Sequence, residues 1–197
     1  MKVKLSSLAA VTICVLFLTS GAFANLVTNG SFETGNFNGW SQTCSAGCGG
    51  NNNGVANGPL WGYPGAENGS YWAWLADPSP GGTLSQTFAD TAGTKYTFSF
   101  WLTAEGDVTS GFNAYWDGAQ LLALTNPNTG KIWTEYSFTV TGTGSDTIQF
   151  AYFDNPWTLG LDNVVVTPVP ETTTLATLLG FGIFNLAAVF GFRRKLI

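Results

Sequence analysis

The stretch KYTFSFWLT, Lys95–Thr103, alternates with period two. Tyr96, Phe98, Phe100 and Leu102 fall on one face, and Thr97, Ser99, Trp101 and Thr103 on the other. A helix would scatter the four apolar side chains around its circumference. A strand gathers them, so the stretch predicts a half-buried β-strand.

The same period recurs on both sides of it. GFNAYWDGAQLLALT (111–125) reads as a hairpin, with Asp117-Gly118 as its tight turn. KIWTEYSFTV (131–140) places Ile132, Tyr136, Phe138 and Val140 together. DTIQFAYF (146–153) does the same for Ile148, Phe150 and Tyr152. LGLDNVVVT makes a last strand before Pro168, and YWAWLA and TLSQTF make earlier, shorter ones. No stretch between residues 25 and 167 reads as a long amphipathic helix. Many short strands separated by Gly, Asn and Asp predict an all-β sandwich or barrel. The segment from Gln42 to Pro64 stands apart, as a long Gly/Asn loop with few core residues.

The two ends have other characters. Lys2 and Lys4, the apolar run Leu8–Leu18 and the small-x-small site Ala22-Phe23-Ala24 make residues 1–24 a secretory signal peptide. Residues 175–192 form an uncharged run of eighteen. As a helix at about 1.5 Å per residue it would be roughly 27 Å long, enough to cross a bilayer core. Arg193, Arg194 and Lys195 follow as a basic stop on the cytoplasmic side. The domain between holds eleven acidic residues against Lys95 and Lys131, a net charge of about −9. Such a surface repels nucleic acid. In an exported chain, Cys44 and Cys48 are expected to pair.

The opening NLVTNGSFETGNFNGW (25–40) and the closing LGLDNVVV (159–166) together resemble the galactose-binding-like jelly roll, the fold of many carbohydrate-binding modules. The resemblance implies a jelly-roll β-sandwich over residues 25–167. It also implies that Glu33 meets Asp162 where the terminal strands run side by side. There the two carboxylates would hold one structural calcium, with backbone carbonyls near Asn29. The alternative is that both cap turns by accepting from backbone amides.

Residues 168–197 resemble a PEP-CTERM sorting signal, with the motif Val169-Pro170-Glu171-Thr172 ahead of the transmembrane helix and the basic end. Thr172 stands where that family has a second proline. The stretch departs at two positions from the Leu-Pro-x-Thr-Gly signal of sortases, and a plain membrane anchor is the third reading. The PEP-CTERM resemblance implies an exosortase-type partner. It also implies transient attachment to the inner membrane, then release to the cell surface or matrix of a Gram-negative bacterium.

Aromatic side chains carry the functional expectation. Sugars offer apolar C–H faces that stack on rings. Trp61, Tyr63, Trp72 and Trp74 lie in or beside the long loop, and Trp157 in DNPWTLG. Trp101 and Tyr115 have the opposite phase to their core neighbours. These seven are the candidate ligand platform for an extracellular polysaccharide, and the competing reading is core or loop anchoring. The chain contains no histidine, which excludes Ser-His-Asp and Cys-His nucleophilic sets. Glu105 with Asp107, and Asp117 with Glu135, are the carboxylate pairs a glycosidase reading would nominate. Nothing in their setting separates them from turn acids. The expectation is therefore non-catalytic binding, with a structural or adhesive matrix role as the alternative.

Overall fold

In the computed structural model, described for residues 23–50, 52–106 and 109–170, Lys95–Thr103 is the fifth of ten strands. Five strands make one antiparallel sheet: β1 (Ser41–Thr43), β4 (Gly82–Ala89), β6 (Ser110–Trp116), β7 (Ala119–Thr125) and β9 (Ser145–Asp154). Their order is β1-β4-β9-β6-β7. The second sheet holds β2 (Asn53–Asn57), β3 (Tyr71–Leu75), β5 (Lys95–Thr103), β8 (Thr134–Thr141) and β10 (Leu159–Pro168), in the order β2-β3-β10-β5-β8. Among the described residues there are strands and turns and no helix. The architecture is the jelly-roll β-sandwich.

The period-two faces meet in the middle. Phe98 and Phe100 of β5 pack across the gap on Phe112 of β6 and Phe150 of β9. The Phe100 and Phe150 rings lie edge to face at 4.9 Å. All four are fully buried, and each contributes on the order of 1.5–3 kcal/mol of transfer free energy. Register holds the stripe together, with Phe98 opposite Phe138 and Phe100 opposite Tyr136. A slip of one residue would turn this stripe to water.

Two sequence expectations need correction. Ile132 is 69% exposed and outside the core. Lys131 has a positive φ of 61°, and the Ile132 amide closes a turn onto the Thr129 carbonyl, so the strand phase begins only at Thr134. The Gln42–Pro64 segment is not one loop, because β2 lies inside it and pairs with β3 from Asn53↔Leu75 to Asn57↔Tyr71. Cys44 and Cys48 are disulfide-bonded in the turn between β1 and β2.

The opening segment runs along β10. Leu26 donates to the Val166 carbonyl, and Val164 donates to that of Gly30. A Cβ on Gly30 would stand 2.1 Å from the Val164 oxygen, so only glycine permits this approach. β10 bulges between Asp162 and Val165 at that point. Residues 1–22 of the signal peptide lie outside the described residues. So do Glu171, Thr172, the helix 175–192, and Arg193, Arg194 and Lys195.

Candidate functional site

The outer face of the second sheet is where the aromatic residues gather. Gly54 of β2, Trp74 of β3, Gly160 of β10 and Thr103 of β5 stand in one cross-strand row. A Cβ on Gly54 would lie 2.6 Å from the Trp74 indole, and one on Gly160 would lie 2.5 Å from the Thr103 methyl. Gly54 thus makes room for the Trp74 indole, and Gly160 for the Thr103 methyl with the Trp72 and Trp133 rings beside it. A glycine inside a strand is the sequence signal for such close approach.

Residues 58–69 fold back over this face and are pinned to it. Trp72 Nε1 donates to the Gly58 carbonyl at 2.8 Å, and Trp133 Nε1 to that of Gly65 at 2.9 Å. The Tyr63 hydroxyl donates to the Thr158 carbonyl. Within this segment, Tyr63 donates to the Leu60 carbonyl at 2.8 Å across Trp61 and Gly62, whose φ values are 49° and 81°. Two successive positive φ angles make a type I′ turn. The turn lifts Trp61 away from the sheet, at a cost of about 1 kcal/mol for a bulky residue in that region.

The result is a groove of about 290 Å³ lined by Trp61, Trp74, Ala76, Pro156, Trp157 and Thr158. Trp61 and Trp157 are about half exposed, at 52% and 47%. Trp61 and Trp74 stand perpendicular, 5.3 Å apart at 87°. The indole N–H groups divide the tryptophans. Those of Trp40, Trp72 and Trp133 each donate to a backbone carbonyl. Those of Trp61, Trp74 and Trp157 donate to no protein group among the described residues, and neither does that of Trp116, which is buried in the core away from the groove.

The sequence brought three of its seven aromatic candidates to this groove. Trp72 and Tyr63 are corrections: at 0% and 1% exposure they are buried and do not line the groove, their rings tilted against each other at 5.7 Å, with Trp133 edge-on to Trp72. The folded-back segment covers Trp72 and turns its own Tyr63 inward. Trp101 shares the outer face but is half-buried opposite Asp162 and Glu135, and it does not line the groove. Tyr115 lies on β6, on the outer face of the other sheet.

Sequence reasoning missed Lys131. Its ammonium donates to the Trp61 carbonyl at 3.1 Å and pairs with Glu105 at 3.1 Å. It also stands over the Tyr63 ring at 5.0 Å and the Trp157 ring at 5.9 Å. One cation thereby ties three loops of the groove together. A lysine among aromatics and with few other bases in the domain was the available signal. Asp107, nominated beside Glu105, is outside the described residues. Asp117 and Glu135 lie on different sheets, and Asp117 accepts from the Thr147 amide at 2.7 Å.

Glu33 and Asp162 converge on one turn. Glu33 Oε1 accepts from the amides of Ser70 and Tyr71 at 2.8 and 2.9 Å. Asp162 Oδ2 accepts from those of Glu67 and Asn68 at 2.8 and 3.0 Å, and its Oδ1 from that of Asn163 at 2.6 Å. Burial raises the Asp162 carboxyl to about 7, and the Glu67 charge adds to this, while the three amides pull it back. Asn29 accepts at its side-chain oxygen from the Thr34 amide and donates to the carbonyls of Asn36 and Asn38. Glu33 Oε2 is the one oxygen of the two carboxylates that accepts no hydrogen bond among the described residues.

No family model matches the chain, and no curated protein matches it in sequence. Solved structures do match in shape. The carbohydrate-binding module TmCBM61, in complex with β-1,4-galactotriose, superposes with a TM-score of 0.58 at 20% identity, over 74% of this chain and 99% of its own. The fold is that module's jelly roll. The enzymatically active domain of tailspike protein 4 from bacteriophage CBA120 gives 0.53 at 20% identity, over 74% of this chain and 21% of its own. The K3 cleaved adhesin domain of Lys-gingipain from Porphyromonas gingivalis gives 0.51 at 21% identity, over 72% and 96%.

Proposed function

We propose that this chain is an exported, non-catalytic polysaccharide-binding module, and that it binds in the groove of Trp61, Trp74 and Trp157. The observation that carries this reading is the state of those three indoles. They surround an open groove, two are half exposed, and none of their N–H groups is spent on the protein. An indole offers a sugar a stacking face and a donor for a hydroxyl. The likeness in fold to a module solved with a galactotriose agrees with this reading. A glycan array probed with the full-length protein tests it. Binding that is lost in Trp61→Ala and Trp74→Ala, and kept in Tyr115→Ala, supports it. A blank array removes it and leaves a structural or adhesive role, to which the likeness to a gingipain adhesin domain lends weight.

The sorting reading is proposed on the sequence of the tail. β10 keeps the chain attached to the sandwich as far as Val169, whose amide donates to the Lys95 carbonyl at 2.8 Å. An exosortase-type enzyme would then act just beyond, near Pro170-Glu171, and leave the module at the cell surface or in the matrix. Mass spectrometry of the mature C-terminus decides this, since an intact Ile197 would reject it.

A structural calcium is proposed with a definite requirement. The ion would take Glu33 Oε2, carbonyls near Asn29 and an Asp162 oxygen that now accepts an amide. If calcium raises the Tm of the protein, the proposal stands. If it produces no heat on titration and chelation leaves the Tm unchanged, both carboxylates are turn caps only.

A further inference from the structure

We propose that the groove reads the end of a neutral polysaccharide chain and not its interior. This rests on the carbohydrate-binding reading above and adds which part of which class of polymer is held.

The first support is the angle between the walls. Trp61 and Trp74 meet edge to face at 87° with their centroids 5.3 Å apart. No sugar ring fits between them. A ring stacked flat on one indole has its edge stopped by the other, so the two form an inside corner. A chain held through its interior needs platforms that lie along its path, so that the next residue passes on to the next ring. At this corner a chain running on toward the second indole would meet a wall. A chain terminus has no next residue, and it fits.

The second support is size. The groove encloses about 290 Å³, near the lower end of sites for small organic ligands, roughly 300–1,000 Å³. That suits one or two sugar rings. Trp157, Pro156 and Thr158 bound the groove beside the corner, from the segment leading into β10.

The third support concerns charge. Lys131 is the cation of the site, and two of its three donors go to Glu105 and the Trp61 carbonyl, with the Tyr63 and Trp157 rings beside it, so that Glu105 balances its charge. A uronate carboxylate would have to compete with Glu105 for it, and the net charge of about −9 across residues 25–167 repels a polyanion. What the groove does present, namely the faces of three indoles whose N–H groups donate to no protein group among the described residues, suits C–H surfaces and hydroxyl oxygens. Those are the groups of an uncharged sugar.

The experiment compares ends with mass. The full-length protein is titrated calorimetrically with β-1,4-galactan, xylan and a mixed-linkage β-glucan as neutral probes, and with polygalacturonate and alginate as anionic ones. Each polymer is used intact and after limited cleavage, at equal mass. An end reader shows a binding capacity per gram that rises in step with the number of chain ends. Its affinity for a di- or trisaccharide stays within about tenfold of its affinity for each polymer end. If a neutral polymer binds but its capacity is unchanged or falls on cleavage, end recognition is overturned and polysaccharide binding survives. Preference for the anionic polymers overturns neutrality. Binding to none of the probes overturns this inference together with the reading it rests on.

Discussion

The Lys131 ammonium donates to the backbone carbonyl of Trp61 at 3.1 Å, joining the β7–β8 connection to the turn that carries an exposed indole. The same ammonium pairs with Glu105 and lies over Trp157. Each of these contacts is worth little alone, about 0.5–1 kcal/mol at a partly exposed site. Together they fix the distance between two walls of the groove. Lys131→Met should therefore weaken glycan affinity about five- to tenfold, on the order of 1 kcal/mol, and change the Tm little. Lys131→Arg, which keeps the charge, should recover part of the loss. Calorimetry beside thermal melts reads both, and unchanged affinity in Lys131→Met would show that the cation does not position the groove.

Trp61 and Trp72 separate binding from folding. Trp61 is half exposed at the tip of its turn, so Trp61→Ala should reduce binding by about 1–2 kcal/mol, like the loss of a partly buried ring contact, and leave stability within about 0.5 kcal/mol. Trp72 is fully buried beneath the folded-back segment and bonded to Gly58. Trp72→Ala should cost about 3–5 kcal/mol of folding stability. Urea melts of the two variants check this, and equal destabilisation would argue against the division.

The sheet pattern was legible because period two is a local property. Phe98 and Phe100 announce their face wherever β5 sits in a sheet. The groove was legible only in its residue types. Trp61, Trp72 and Trp74 lie within fourteen residues of one another, and sequence spacing does not say that Tyr63 would close over Trp72 while Trp61 turned outward. That outcome depends on the Leu60–Tyr63 turn and on the Thr158 carbonyl, almost a hundred residues away. β2 was missed for a similar reason. Asn53-Gly-Val-Ala-Asn57 has little strand propensity of its own, and it pairs because β3 offers an open edge. Asn53 then replaces an apolar core residue by donating to Gln42 and to the Tyr152 hydroxyl. Lys131 left only the signal of a rare base among aromatics, since its partners come from three loops.

At the far end of the first sheet, Asp90, Asp117 and Asp146 lie together. Burial raises the Asp90 carboxyl to about 6, and its hydrogen bond to Asp146 and the charges of Asp146 and Asp117 push the same way. Burial would raise Asp146 too, but its hydrogen bonds to Asp90, Asp117 and Thr143 outweigh that and leave it lowered. The folded protein keeps the Asp90 proton up to about pH 6, whereas the unfolded chain releases it near about pH 4. Stability from this group is full below about pH 4 and falls as pH rises through about 6. Asp146 acts oppositely, losing its contribution as pH falls below the usual carboxylate range. Stability, and the Tm with it, should therefore fall between about pH 4 and pH 6, by on the order of 1 kcal/mol after solvent screening. Asp90→Asn keeps a donor toward Asp146 and an acceptor for the Gly144 amide, so it should flatten part of that slope. An unaltered slope in the variant would remove Asp90 as its source.

Gly54 tests whether Trp74 must lie where it does. Its absent side chain leaves the space the Trp74 indole fills, and an added Cβ would meet three ring atoms between 2.6 and 2.7 Å. The indole can yield only toward Trp61, which stands perpendicular to it at 5.3 Å. Gly54→Ala should tilt Trp74 toward Trp61 and narrow the corner. The expected cost is about 1–3 kcal/mol of stability from overpacking. A loss of glycan affinity of at least about tenfold should accompany it, because the altered wall is one a sugar would stack upon. The near-ultraviolet circular dichroism of the variant should change with the tryptophan environment, while the far-ultraviolet spectrum keeps its β-sheet form. If Gly54→Ala loses stability but binds with full affinity, Trp74 is a packing residue and the ligand stacks on Trp61 and Trp157 without it.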